Sequence, residues 1–124
     1  MKILIIDDEM SAATTLKALL MSQEGYEIDI IFSGREGLEM MRTSSMYDLL
    51  ILDIMMPDFS GLDVCREMSK DEKIKNIPVI LASALPVASK ELEELLNEFR
   101  AFVTIKGAVE KPFVLEDLLL KIQK

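Results

Sequence analysis

The chain has 124 residues, half of them apolar, with a formal charge of −8, a single cysteine and no histidine. That length suits one domain, residues 1–124, able to bury a core without staples, and the acidic surface excludes a direct nucleic-acid binder. Without histidine, and with Cys65 alone, zinc and transition metals lack ligands, so any metal must be a hard cation held by oxygen, such as magnesium, manganese or calcium.

Apolar runs alternate with segments of helical period along the chain. A first strand is expected over Lys2–Ile6 and a first helix over Ser11–Ser22, with Ala12, Leu16, Leu19 and Leu20 turned inward. Gly25 breaks the chain before a second strand, Glu27–Ile31, and Ser33-Gly34 leads into a second helix, Arg35–Arg42. The third strand is Leu49–Leu52. A loop rich in Pro57, Asp58, Ser60 and Gly61 follows, and Ser60 with Asp63 three residues on signals a helix start, the helix running to Lys70. Cys65 lies on this helix with Leu62 and Met68 at helical spacing and reads as buried filler. The fourth strand is Ile77–Leu81. The fourth helix is Ser89–Arg100, with Leu92, Leu95, Leu96 and Phe99 on one face. Ala101–Lys106 is compatible with helix, strand or irregular chain. The fifth strand begins near Gly107 and ends at Glu110 or Lys111, and the fifth helix is Leu115–Gln123. Five strands alternating with five helices imply a parallel sheet covered on both faces. No run is long enough to cross a membrane, no leader or second domain is expected, and the lone cysteine suits a reducing cytoplasm.

The polar residues that carry chemistry stand where the strands stop. Asp7 and Asp8 follow Ile3-Leu4-Ile5-Ile6, Asp53 follows Leu49-Leu50-Ile51-Leu52, Ser83 follows the fourth strand and Lys111 the fifth. Open α/β sheets keep their sites at these carboxyl ends. Two carboxylates about 4 Å apart repel by roughly 4 kcal/mol at an effective dielectric near 20, so three together call for a cation. Magnesium or manganese fits, bound by carboxylates, a phosphate oxygen and water. Asp53 is the best nucleophile toward a phosphoryl group, Lys111 would neutralise its oxygens and Ser83 would donate to one of them. Met55 and Met56, just past Asp53, are expected to line the site. Taken singly, a strand-end aspartate is usually a cap and a lysine before proline a solvated charge. Four strand ends on one side of one sheet make the ordinary explanations improbable together.

These residues resemble the receiver domain of two-component response regulators, over essentially the whole chain. The resemblance rests on Ile-Leu-Ile-Ile-Asp7-Asp8-Glu9, on Asp-Leu-Leu-Ile-Leu-Asp53-Ile-Met-Met-Pro57-Asp58-Phe-Ser-Gly61, on Ser83-Ala84 and on Lys111-Pro112-Phe113. It implies the flavodoxin-like (CheY-like) doubly wound sheet, order 2-1-3-4-5. It implies that Asp53 accepts phosphate from a sensor histidine kinase or phosphotransfer protein. It further implies that Asp8, Asp53 and the Met55 backbone carbonyl hold Mg²⁺, that Asp7 acts through metal-bound water, and that a cis peptide at Lys111-Pro112 aims the lysine. Ala84 matches the small residue beside the phosphoryl group. A protein target downstream and a phosphorylation-dependent dimer through the fourth helix, fifth strand and fifth helix complete the expected partners. Two departures stand out. The position three before the lysine, usually aromatic, is Ala108, with Phe102 nearby, and Ser83 and Lys111 are 28 positions apart, more than the family usually has. Met55 and Leu85, each two residues past a site residue, are apolar and should order an attacking water poorly, so self-dephosphorylation is expected to be slow.

Two other classes compete. One is a phosphorylation-independent pseudo-receiver, a protein-interaction module, which the full set of acidic residues, Ser83 and Lys111 disfavours. The other is an enzyme or redox carrier. A flavodoxin needs a hydroxyl- and glycine-rich loop after the first strand, where this chain has Asp-Asp-Glu-Met, and a haloacid-dehalogenase-type phosphatase needs its nucleophile and acid two apart there.

Overall fold

The computed structural model describes residues 1–44 and 46–123; Lys124, the last residue of the expected domain, lies outside them. Ten elements follow in strict alternation: β1 (Lys2–Ile6), α1 (Met10–Met21), β2 (Glu27–Ile31), α2 (Gly34–Thr43), β3 (Leu49–Asp53), α3 (Gly61–Ser69), β4 (Val79–Ser83), α4 (Lys90–Arg100), β5 (Ile105–Glu110) and α5 (Leu115–Gln123). The strands pair in parallel in the order β2-β1-β3-β4-β5, the doubly wound sheet expected from the sequence.

Strand side chains point alternately to the two faces, so each all-apolar strand feeds two cores. Leu4, Ile6, Leu50, Leu52, Val79 and Leu81 join Leu38 and Met41 of α2, Val64, Cys65 and Met68 of α3, and Leu92 and Phe99 of α4. Ile3, Ile5, Leu49, Ile51, Ile80 and Ala82 join Ala13, Leu16 and Leu20 of α1 and Leu118 and Ile122 of α5. Each of the large aliphatic or aromatic side chains among them, fully buried, contributes roughly 1.5–3 kcal/mol. On α1 the inner small residue is Ala13; Ala12, expected inside, is only half-buried because it lies at the edge of the face that Ala13, Leu16 and Leu20 bury. Cys65 is buried as expected, and burial pushes its thiol up to about 12, which leaves it inert.

Local signals fix the helix starts. Ser60 and Asp63 form a reciprocal capping box on α3, and Ser33 and Ser89 accept from Glu36 and Leu92 at the starts of α2 and α4. The expected span of β4 is two residues too early. The Ile77 amide bonds to the Ile74 carbonyl, Pro78 has no amide to offer, and pairing runs instead to Ser83. Residues 101–104 form a turn rather than strand or helix, and β5 opens at Ile105. The register against β4 slips between Val79–Ile105 and Ile80–Gly107, an irregularity at which Gly107 takes φ +151°.

Candidate functional site at the strand ends

β1 and β3 are neighbours, and β3 is flanked on its other side by β4, with β5 next. This order brings the strand-end residues of four strands to one rim. Asp53 and Ser83 are the last residues of β3 and β4, whereas the sequence reading ended those strands at Leu52 and Leu81. Asp7 is buried (2 % exposed), Asp53 nearly so (6 %) and Asp8 is exposed. Adjacent residues cannot both follow the pleat inward, and the chain turns Asp7 in and Asp8 out.

Asp7, Asp8 and Asp53 each present a carboxylate oxygen within 4.8 Å of the others. The Lys111 ammonium lies 2.8 Å from Asp7 Oδ2 and 3.5 Å from Asp53 Oδ1. Asp7 Oδ1 accepts the Glu9 amide at 2.9 Å and Asp53 Oδ1 accepts the Met55 amide at 3.3 Å. Asp53 thus lies in reach of both Asp8 and Lys111. The Lys111-Pro112 peptide is cis, and the Lys111 amide donates to the Ser83 carbonyl at 2.8 Å, tying the two strand ends together. Ser83 Oγ accepts the Leu85 amide at 2.9 Å, an arrangement in which the hydroxyl keeps its own hydrogen to donate.

The electrostatics follow from this crowding. Burial raises the Asp53 carboxyl to about 7, with the negative charge of Asp7 adding to the rise and Lys111 and the Met55 amide opposing it. Burial alone lowers the Lys111 ammonium, but its hydrogen bond to Asp7 and the charges of Asp53, Asp7 and Glu9 outweigh that and leave it above the ordinary lysine value. Three carboxylates facing one ammonium leave an anionic cluster whose donor atoms are all oxygen. That set fits a hard divalent cation such as Mg²⁺ or Mn²⁺.

Gly61 holds the loop after Asp53 in place. A Cβ there would stand 2.7 Å from the Asp53 carbonyl oxygen and 3.2 Å from Ile54 Cα, so only glycine lets the start of α3 come this close. Met55 and Met56, both expected at the site, part company: Met55 is 74 % exposed and Met56 is 8 % exposed. Met56 lines a hollow beside Asp8 with Phe32, Arg35 and Phe59, where the Arg35 guanidinium sits 4.5 Å from the Phe59 ring centroid. The sequence reading missed this stack, because Arg35 opens α2 while Phe59 lies in the loop before α3, and no spacing signal links them. Ala108 is buried in the core below the rim, and Phe102 packs half-buried beside the same core with Arg66 over its ring at 5.6 Å.

A family profile described as the response regulator receiver domain matches residues 3–123. The chain belongs to the response regulator receiver domain family. Such receiver domains are the signalling modules of two-component systems. Among curated relatives, response regulator ArlR of Staphylococcus saprophyticus is 33 % identical over 98 % of this chain and 50 % of its own length. Transcriptional regulatory protein DltR of Streptococcus agalactiae is 34 % identical over 99 % of this chain and 50 % of its own. The receiver domain thus spans about half the length of these relatives. Among solved structures, Vibrio cholerae chemotaxis protein CheY4 superposes with a TM-score of 0.82 at 27 % identity, covering 98 % of this chain and 95 % of its own. The Francisella response regulator 1452 receiver domain gives 0.79 at 27 % identity, covering 98 % and 93 %. Among the described residues, no helix is long and apolar enough to cross a membrane.

Proposed function

We propose that residues 1–124 act as one phosphoacceptor module, taking a phosphoryl group onto Asp53 in a Mg²⁺-dependent reaction. The observation that carries this reading is the convergence of Asp53 with Asp7, Asp8 and Lys111 at one rim. The donor would be the phosphohistidine of a sensor histidine kinase or a phosphotransfer protein. An Asp53 carboxylate oxygen attacks phosphorus as the bond to the histidine nitrogen breaks, and the acyl phosphate forms in line. Lys111, already held 3.5 Å from Asp53, neutralises charge on the transferred group, and the Ser83 hydroxyl donates to one of its oxygens.

Asp8, Asp53 and the Met55 backbone carbonyl would hold the cation, with Asp7 acting through a bound water; Asp7 spends its oxygens on Lys111 and the Glu9 amide, while Asp8 is exposed and available. Bound there, the ion offsets the charge of the carboxylates and of the phosphoryl oxygens. The module turns over no substrate other than its own phosphoryl group, works in the cytoplasm and signals to a protein target by a change of conformation, with phosphorylation-dependent pairing through α4, β5 and α5. Direct contact with nucleic acid or membrane is no part of the reading.

Acetyl phosphate with Mg²⁺ should label the protein with one phosphoryl group, and Asp53→Asn should abolish the label. A protein that folds, binds Mg²⁺ and takes no label would overturn this reading in favour of a phosphorylation-independent interaction module.

A further inference from the structure

Met55 is the most exposed of the large apolar residues described, at 74 %, between Ile54 at 5 % and Met56 at 8 %. It is also tied to the reacting group, since its amide donates to Asp53 Oδ1 at 3.3 Å. With Ile54, Met56, Pro57 and Ser60 it borders an open hollow next to the site. A thioether accepts hydrogen bonds weakly, so the Met55 side chain gives water beside the Asp53 acyl phosphate little direction. We propose that Met55 is a methionine sulfoxide site whose oxidation shortens the lifetime of the phosphoryl group, an inference that rests on the function proposed above.

The oxidant is a hydroperoxide. The Met55 sulfur lone pair attacks the terminal peroxide oxygen, the O–O bond breaks, and the other oxygen leaves as water or alcohol, taking up the proton that the transferred oxygen sheds. The product carries a strongly accepting sulfoxide oxygen on an unbranched, flexible side chain two residues from Asp53. A water donating one hydrogen to that oxygen turns its lone pair toward phosphorus. As the new P–O bond forms, the bond to Asp53 breaks, its electron pair returns to the carboxylate and the water's proton passes to solvent. The neighbouring Met56 is shielded and remains a thioether. Methionine sulfoxide reductases reverse the change.

The experiment treats the full chain with dilute hydrogen peroxide, maps oxidised methionines by peptide mass, labels with acetyl phosphate and Mg²⁺, and follows loss of the phosphoryl group after donor removal. Met55 should gain one oxygen before Met56, Met41 and Met68. The oxidised protein should lose its phosphoryl group about threefold faster or more, the effect of one hydrogen bond of ordinary net strength. Met55→Leu keeps the exposed Met1, Met10, Met21 and Met46 and should show no acceleration on oxidation. Reductase treatment of the oxidised parent should restore the original lifetime. An unchanged lifetime with Met55 fully oxidised, or equal acceleration in Met55→Leu, overturns this inference alone. Failure of the untreated protein to label overturns the proposed function and this inference with it.

Discussion

The Lys111 ammonium stands closer to Asp7, at 2.8 Å, than to the phosphoacceptor candidate Asp53, at 3.5 Å. One half-buried cation is shared between two buried carboxylates, and its removal leaves each with only a backbone amide, from Glu9 or Met55, against its charge. Lys111→Met is expected to destabilise the metal-free protein by on the order of 1–3 kcal/mol, below the usual cost of breaking a buried pair because the lysine is partly solvated. Urea unfolding checks this. The loss should be larger at about pH 8 than at about pH 6, since a proton on Asp53 relieves part of the repulsion.

The pH dependence of the parent has a definite sign. Asp53 is raised from 3.8 to about 7 in the folded protein. Between those values the folded state keeps a proton that the unfolded chain has released, so metal-free stability is highest at the acid end of the window and falls as pH rises toward 7. Urea midpoints measured across the window should show this fall. Asp53→Asn should flatten it, and so should saturating Mg²⁺, which binds the ionised form.

Repulsion within the acidic cluster also sets the response to metal. Without Mg²⁺, Asp53→Asn and Asp8→Asn should each melt a few degrees higher than the parent, with the larger gain at Asp53 because it is the buried member. Mg²⁺ should raise the melting temperature of the parent more than that of either variant. Equal Mg²⁺ shifts in all three proteins would contradict a shared cation site.

Met55→Asn offers an amide where the parent has an apolar thioether. The phosphoryl half-life of this variant should be shorter by about threefold or more, one ordinary hydrogen bond's worth of water positioning. A half-life as long as the parent's would contradict the expectation that apolar residues at Met55 and Leu85 slow self-dephosphorylation.

Gly61→Ala places a methyl against the backbone of the phosphoacceptor itself, 2.7 Å from the Asp53 carbonyl oxygen. Rigid backbone cannot yield as a flexible side chain does, so a cost of roughly 1–3 kcal/mol is expected, together with slower labelling as Asp53 shifts. Denaturant unfolding and acetyl phosphate labelling measure the two effects on one protein.

Most of the architecture was legible because it is written in continuous apolar runs and helical periods. The Lys2–Ile6 and Glu27–Ile31 strands and the Leu115–Gln123 helix have the expected bounds, and Ser60 with Asp63 marks its helix start. What composition left open was decided by hydrogen bonds between distant segments. Ile77 and Pro78 look like strand residues, yet the Ile77 amide is claimed by Ile74. Residues 101–106 divide between a turn and β5, and a register slip beside Gly107 accompanies the division. At the site, residue types and strand ends identified Asp7, Asp8, Asp53, Ser83 and Lys111 as neighbours. Nothing in the sequence told which of the adjacent aspartates turns inward, that Lys111 prefers Asp7, or that Arg35 stacks on Phe59, since each depends on side-chain placement across elements.

Among the described residues the buried apolar side chains form two separate clusters, one on each face of the sheet, since neighbouring residues of a strand belong to different ones. The central layer therefore acts as a bulkhead. Swelling or shrinkage on the α2–α3–α4 side is met by hydrogen-bonded main chain before it reaches the α1–α5 side. Either outer surface is free to diversify its partners while the shared rim, fixed to the bulkhead's edge, keeps its chemistry in register.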